Sequence, residues 1–295
     1  MNTPSIALGE LRLEAVRGLP LAIPEQSLDF DLEGRVERAR QIFFKTVDRM
    51  MTGFQYKGAF TQRDMEYVRG MSRSFKLQPL AWSYLEDQRL RDIENCGHAV
   101  NYENMVATAI FGTLVARDFG MSESASRKIG EGGAQHDFGK RYTPDFILYK
   151  PGKLTPQEKE IMHLHPEDGL RVLDECGESD PVVHACVGDH HLCISHNGNP
   201  DSKLESYGNQ TDSRQPHLSA RIITPGDAVD SMVSGRYYRN PEECKFGGCI
   251  EYAISELDRE SEISDRNPDG IHFDRRFVAL LKPYLERALH SQRYV

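Results

Sequence analysis

Nine of the eleven histidines lie between His98 and His217, and none occurs in the first 97 residues. Five of them sit close to carboxylates in ways that matter chemically. Glu94 and His98 are four residues apart. On a helix both would leave the same face and could grip one ion, although such a pair taken alone is more often a surface contact. His136 and Asp137 are adjacent within Ala134-Gln135-His136-Asp137-Phe138-Gly139-Lys140, and His165 stands in His165-Pro166-Glu167-Asp168-Gly169. His163, two residues earlier, must face elsewhere. His190 and His191 follow the apolar stretch from Val182 to Val187. Two neighbouring buried imidazoles are costly unless bound, because each ring needs partners. Asp227 closes the segment that begins at Ala220. A buried histidine beside an aspartate is, read singly, as well explained by a core hydrogen bond or a helix cap. Together, five imidazoles and three carboxylates form a metal nest. Nitrogen and carboxylate oxygen without thiolate favour iron or manganese over structural zinc. Eight donors exceed what one ion needs, whereas two ions about 3.5–4 Å apart, sharing a carboxylate, would use them.

Helices must carry these residues, because strand signals are almost absent. Arg35 to Thr52 places Val36, Ala39, Phe43, Val47 and Met50 at helical spacing, and Gln62 to Phe75 repeats the pattern after a Thr61–Asp64 cap. Thr155-Pro156-Gln157-Glu158 is a strong helix start that is expected to carry His165, and Asn240-Pro241-Glu242-Glu243 reads the same way. Pro181 and Asp274 open two further helices, the last of which Pro283 should end or kink. Residues 201–219 are polar and read as a loop. The chain is therefore expected to be all-α. Residues 1–85 form a small N-terminal helical region with an extended lead-in over the first 30, and residues 86–295 form the metal-binding domain.

Composition narrows the function. The 295 residues, 39% hydrophobic, can bury a substantial core. With 36 Lys+Arg against 45 Asp+Glu the net charge is −9, which argues against a nucleic acid polymer as partner. The longest apolar run, Val106 to Ala116, is half of what a bilayer needs. Met1 to Gly18 lacks the basic start of a signal peptide. The six cysteines contain no CxxC. A cytoplasmic protein with reduced thiols and no membrane contact is expected.

In its ordered motifs the chain resembles the HD-GYP family, a branch of the HD metal-dependent phosphohydrolases, from about Asp87 to Pro283. The resemblance is carried by Glu94-xxx-His98, by His136-Asp137-Phe138-Gly139-Lys140, and by Lys150-Pro151-Gly152-Lys153-Leu154-Thr155 leading to Glu158 and His165-Pro166. It continues through His190-His191, the segment from Ala220-Arg221-Ile222 to Asp227, and Arg236-Tyr237-Tyr238-Arg239. The resemblance implies a helical HD-domain bundle with two or three metal ions, iron first and manganese second. The family's ligands carry over onto Glu94, His98, His136, Asp137, His165, His190, His191 and Asp227. It further implies hydrolysis of cyclic di-GMP, or a related phosphate ester, with protein partners in cyclic di-GMP signalling. In that reaction a hydroxide made available near neutral pH attacks phosphorus in line. Asp137 would bridge the ions, and Lys140 would sit over the phosphate. Arg236 and Arg239 match basic phosphate-gripping positions.

The stretch after the paired histidines departs from the family's pattern. It reads His190-His191-Leu192-Cys193-Ile194-Ser195-His196-Asn197-Gly198-Asn199-Pro200. Leu192 stands where the family has Glu, Ser195 where it has Asp, and His196 where it has Gly. Asn199 replaces the signature tyrosine that contacts the ligand. Pro225-Gly226 is expected to kink the chain just before Asp227. An intact nest beside an altered lip leaves three readings open. They are a cyclic di-GMP phosphodiesterase, a metal-bearing module that binds nucleotide or protein without cutting, and an HD hydrolase for another nucleotide phosphate.

Overall fold

The structure, a computed structural model, describes residues 31–195, 216–234, 246–262 and 270–292. The extended lead-in, the helix start at Asn240-Pro241 and most of the 201–219 loop lie outside the described residues. The fold is all-α. In chain order the helices are α1 (Leu32–Thr52), α2 (Gln62–Arg73), α3 (Pro79–Cys96), α4 (Val100–Asp118) and α5 (Glu123–Gln135). After a 3-10 turn over Phe138–Tyr142 come α6 (Asp145–Leu148), α7 (Pro156–Met162), α8 (His165–Cys176) and α9 (Pro181–Asp189). They are followed by α10 (Leu218–Val233), α11 (Phe246–Glu260) and α12 (Arg275–Gln292). The described strands are two residues each, Ile194–Ser195 paired antiparallel with Gly270–Ile271.

Helix α4 is the axis of the molecule. Its residues from Val100 to Ala116 are buried except Glu103, which is why this segment shows no polar face. Helices α1, α2, α3, α5, α10 and α12 all pack around it. The first helices share this core. Phe43 of α1 meets the Trp82 ring edge-on at 5.5 Å, Tyr56 meets Phe111 at 5.3 Å, and the Tyr56 hydroxyl donates to Asp230 on α10 at 2.9 Å.

The cap read at Thr61 is a complete capping box. The Thr61 hydroxyl accepts from the Asp64 amide, and the Asp64 carboxylate accepts from the Thr61 amide. Asp64 also accepts from Arg117 of α4 at 2.8 Å. Burial opposes its charge, yet the bonds from Thr61 and Arg117 prevail and lower its pKa. Its contribution to stability is therefore complete above the ordinary carboxylate pKa near 3.8 and is lost as pH falls through the lower folded value. Asp64→Ala is expected to cost roughly 2–4 kcal/mol at pH 7, about 1 from the cap and the rest from the broken pair. Urea unfolding at pH 7 and pH 3 checks this, since the deficit must shrink at the lower pH.

Two proline expectations are corrected. The helix begun by Thr155 ends at Met162, so His165 opens a separate helix. Pro166 has no N–H to continue the ladder and restricts the residue before it. Conversely, neither Pro225 nor Pro283 ends its helix: α10 continues past Pro225-Gly226 and α12 past Pro283. At Gly226 a Cβ would come within 2.8 Å of Phe111 Cβ. Close packing on α4 holds the helix where local propensity would end it.

Candidate metal centre

The centre is assembled from helix ends. Helix α5 carries Gly132 and Gly133, where a Cβ would lie 2.6 Å from Cys186 on α9 and 2.9 Å from the Ala109 amide on α4. Both glycines let α5 lie against its neighbours and bring its last turn, and His136 after it, to the middle of the bundle. Every helix ends with carbonyls that lack intrahelical donors. Three of them are taken by imidazoles. His136 Nδ1 bonds the Gly133 carbonyl at 2.8 Å, His190 Nδ1 bonds that of Val187 at 2.9 Å, and His165 Nδ1 bonds that of Met162 at 2.7 Å. The Met162 carbonyl is the one that Pro166 cannot serve. A carbonyl only accepts, so each Nδ1 carries a hydrogen and each Nε2 points inward. This is the usual way of orienting metal-binding histidines.

The inward atoms converge on Asp137, which is buried. Its Oδ2 lies 3.3 Å from His136 Nε2, and its Oδ1 lies 3.3 Å from His165 Nε2 and 4.0 Å from His190 Nε2. Asp227 Oδ1 approaches His136 Nε2 at 3.5 Å. The His191 ring lies tilted 4.2 Å from that of His190 and edge-on 5.0 Å from that of His165. Lys140 Nζ donates to Asp137 Oδ2 at 2.5 Å.

These residues fit a metal. His136 Nε2 is buried without a hydrogen-bond partner. His165 and His190 set their Nε2 atoms 3.1 Å apart with both lone pairs inward, a repulsive contact that a cation between them would make favourable. Neither donor group contains a thiolate. The chain offers His165, His190 and His191 as one donor group and His136, Asp137 and His190 as another.

Electrostatics divides the nest in two. Burial lowers the His165 pKa to about 3, and burial with the neighbouring His136 lowers that of His190 to about 4. His191 is lowered well below the ordinary range, by burial and by His190 and His165. These rings are neutral at physiological pH, the form that binds metal. Burial opposes charge on His136 too, but Asp137 and Asp227 outweigh it and raise its pKa to about 10. Asp137 and Asp227 are lowered against burial, chiefly by His136. At pH 7.5 His136 therefore holds a proton that must leave before Nε2 can take an ion. Metal uptake is expected to release about one proton per chain, and apparent affinity should rise with pH. Calorimetric titration in buffers of different ionisation enthalpy measures this directly, and buffer-independent heats would contradict it.

Of the eight expected ligands, the structure brings six together: His136, Asp137, His165, His190, His191 and Asp227. It does not bring in Glu94 and His98, which are both exposed. Helix α3 ends at Cys96, and Gly97 turns left-handed at φ 76°. No continuous helix joins the two residues, so the shared face their spacing implied does not exist. The important acid in this stretch is Asp92. It is buried and accepts from the amides of Asn101 and Tyr102, securing the start of α4. Arg91, also missed, donates to the carbonyls of Lys140 and Thr143 and pins the turn that follows Asp137. Gly97 was the available signal, since a glycine there predicts a helix end. Asn199, Arg236 and Arg239 lie outside the described residues.

Residues 101–232, which span α4 to α10 and all six converging ligands, match the HD domain family. This segment is similar to HD domains. The whole chain is similar to curated phosphodiesterases. It is 34% identical over 128 residues to a cyclic di-GMP phosphodiesterase of Thermotoga maritima, covering 43% of this chain and 33% of that one. It is 34% identical over 139 residues to another of Pseudomonas aeruginosa, covering 47% and 31%. A 3′3′-cGAMP-specific phosphodiesterase of Vibrio cholerae is 29% identical over 174 residues, covering 59% of this chain and 29% of its own length. The chain thus spans about a third of the length of these relatives. No described helix is long and apolar enough to cross a membrane.

Proposed function

We propose that the HD domain hydrolyses a phosphodiester bond of a cyclic dinucleotide, cyclic di-GMP first among them, with two metal ions in the nest. The observation that carries the reading is Asp137, whose Oδ2 faces His136 and whose Oδ1 faces His165 and His190. His136 and Asp227 would complete one ion's donors, and His165, His190 and His191 the other's, with Asp137 shared. Six ligands serve two ions, and a donor set rich in imidazole suits iron, with manganese the alternative. The names of the similar phosphodiesterases support this substrate class.

Bound ions would polarise the phosphate and acidify a water molecule beside it. The chain's own residues hold the geometry. The helix-end carbonyls keep the imidazoles from rotating, Asp137 fixes the separation of the two sets, and burial excludes bulk water. Lys140 already lies against Asp137 and is placed to donate to a non-bridging phosphate oxygen as charge develops there. Asn199, Arg236 and Arg239 remain the proposed ligand-reading residues. A reducing, cytoplasmic setting belongs to the same proposal. The division near residue 85 is retained as one of role: the first helices buttress α4 while the chemistry lies beyond them.

An anaerobic assay of ferrous-loaded protein with cyclic di-GMP and with 3′3′-cGAMP, products separated by chromatography, tests the reading. Linear dinucleotide or mononucleotide should appear with intact protein and not with Asp137→Ala. Absence of product from protein shown to hold its metal would overturn it.

A further inference from the structure

A second cavity, of about 600 Å³, opens between α1, α3, the turn at Gly97–Val100 and the end of α10. Its volume lies within the range of small-molecule sites. None of the six converging metal ligands lines it. Lys45 and Arg49 reach it from successive turns of α1, and Arg89 reaches it from α3. The lining holds one carboxylate, Glu103, which is engaged by Arg49 at 2.7 Å. Three cations against one carboxylate leave a local charge of +2 on a chain whose net charge is −9. Among the described residues, neither Lys45 nor Arg89 forms an ion pair, although acidic side chains outnumber basic ones in this protein. Such concentration of unneutralised cations in a concave site attracts and holds small anions. The wall beside them is apolar, formed by Ile42 and Ile93. A bare inorganic anion would leave that wall uncovered, whereas an organic phosphate would use both surfaces.

We infer that this cavity binds a phosphate-bearing small molecule of mononucleotide size, with its phosphate on Lys45, Arg49 and Arg89 and its organic part against Ile42 and Ile93. The site is separate from the metal nest and does not depend on the reaction proposed there.

The test is calorimetric titration of the metal-loaded full chain with GMP, GTP and inorganic pyrophosphate. The comparison proteins are Lys45→Ala, Arg89→Ala and the double variant. Lys45 is exposed and Arg89 half-buried, so the replacements leave the core intact, and thermal melts confirm it. A nucleotide should bind, the double variant should weaken it at least tenfold, and Lys45→Arg should restore most of the single-variant loss. Raising KCl from about 50 to 300 mM should weaken binding as well. Binding that survives unchanged in the double variant belongs to the metal nest and overturns the assignment, as does failure of all three probes to bind at millimolar concentration. Pyrophosphate binding as tightly as GMP would overturn the role given to the apolar wall.

Discussion

Asp137→Ala is expected to lower bound iron or manganese by an order of magnitude or more, in both donor groups at once. The Asp137 Oδ2 faces His136 and its Oδ1 faces His165 and His190, so in the proposed two-ion arrangement its removal takes a donor from both ions. Loss of a single outer-shell partner already costs roughly 10–100-fold in metal affinity, and loss of a shared ligand must exceed that. The variant should also be less stable without metal. It would leave Lys140 and protonated His136 facing a buried space without their main counter-charge, a change of the kind that costs about 3–5 kcal/mol. Metal content by mass spectrometry after anaerobic loading, with chemical denaturation of the metal-free protein, reads both effects. Glu94→Ala and His98→Ala are the informative controls and should hold as much metal as the parent. Unchanged metal in Asp137→Ala would remove the bridging assignment, and metal loss in either control would contradict the placement of those residues.

The second large effect is expected at Gly139. A Cβ there would stand 1.8 Å from the His165 carbonyl oxygen and 2.4 Å from the Gly169 amide. Both neighbours are backbone at the start of α8, so neither can rotate away. Accommodating a methyl group requires the turn after Asp137 and the helix that carries His165 to separate. That would lengthen the 3.3 Å approach between Asp137 and His165 on which one half of the nest depends. Gly139→Ala should therefore lose more than about 4 kcal/mol, among the largest effects a single substitution produces, and should lose metal with it. Gly70→Ala offers the contrast. It lies in an exposed helix interior with nothing within 4 Å of its Cβ position, and it should gain about 0.5–1 kcal/mol. Thermal melts of the two variants side by side decide the matter, and a Gly139→Ala protein that melts with the parent would refute the packing argument.

The sequence was legible where a residue's chemistry and its local element agree. That His136, Asp137, His165, His190, His191 and Asp227 converge could be anticipated, because clustered imidazoles in apolar surroundings have few inexpensive explanations. The helices opened by Thr61, Thr155 and Pro181 announce themselves through start signals that are local in sequence. Glu94 and His98 misled because i, i+4 spacing implies a face only on an unbroken helix, and Gly97 breaks this one. That the helix continues past Pro225 could not be read locally, since Gly226 packs against Phe111, more than a hundred residues away in sequence. The carbonyls that fix the ring nitrogens could not be read at all. They depend on where three helices stop, to within one residue, and on the proline after His165.

The origin of the ligands in four separate stretches has a mechanical consequence. His136 and Asp137, His165, His190 and His191, and Asp227 stand at or near the ends of α5, α7, α9 and within α10. A single cluster of ions would tie these stretches as cross-links do, closing long segments of chain that an unfolded state would otherwise leave free. Unravelling any one of those helix ends would then require the ions to depart. The melting temperature becomes a gauge of free metal concentration, rising by an increment equivalent to about 2.7 kcal/mol when metal stands at a hundred times its dissociation constant. The same atoms that would carry out hydrolysis would then report, through the lifetime of the folded chain, how much metal surrounds it.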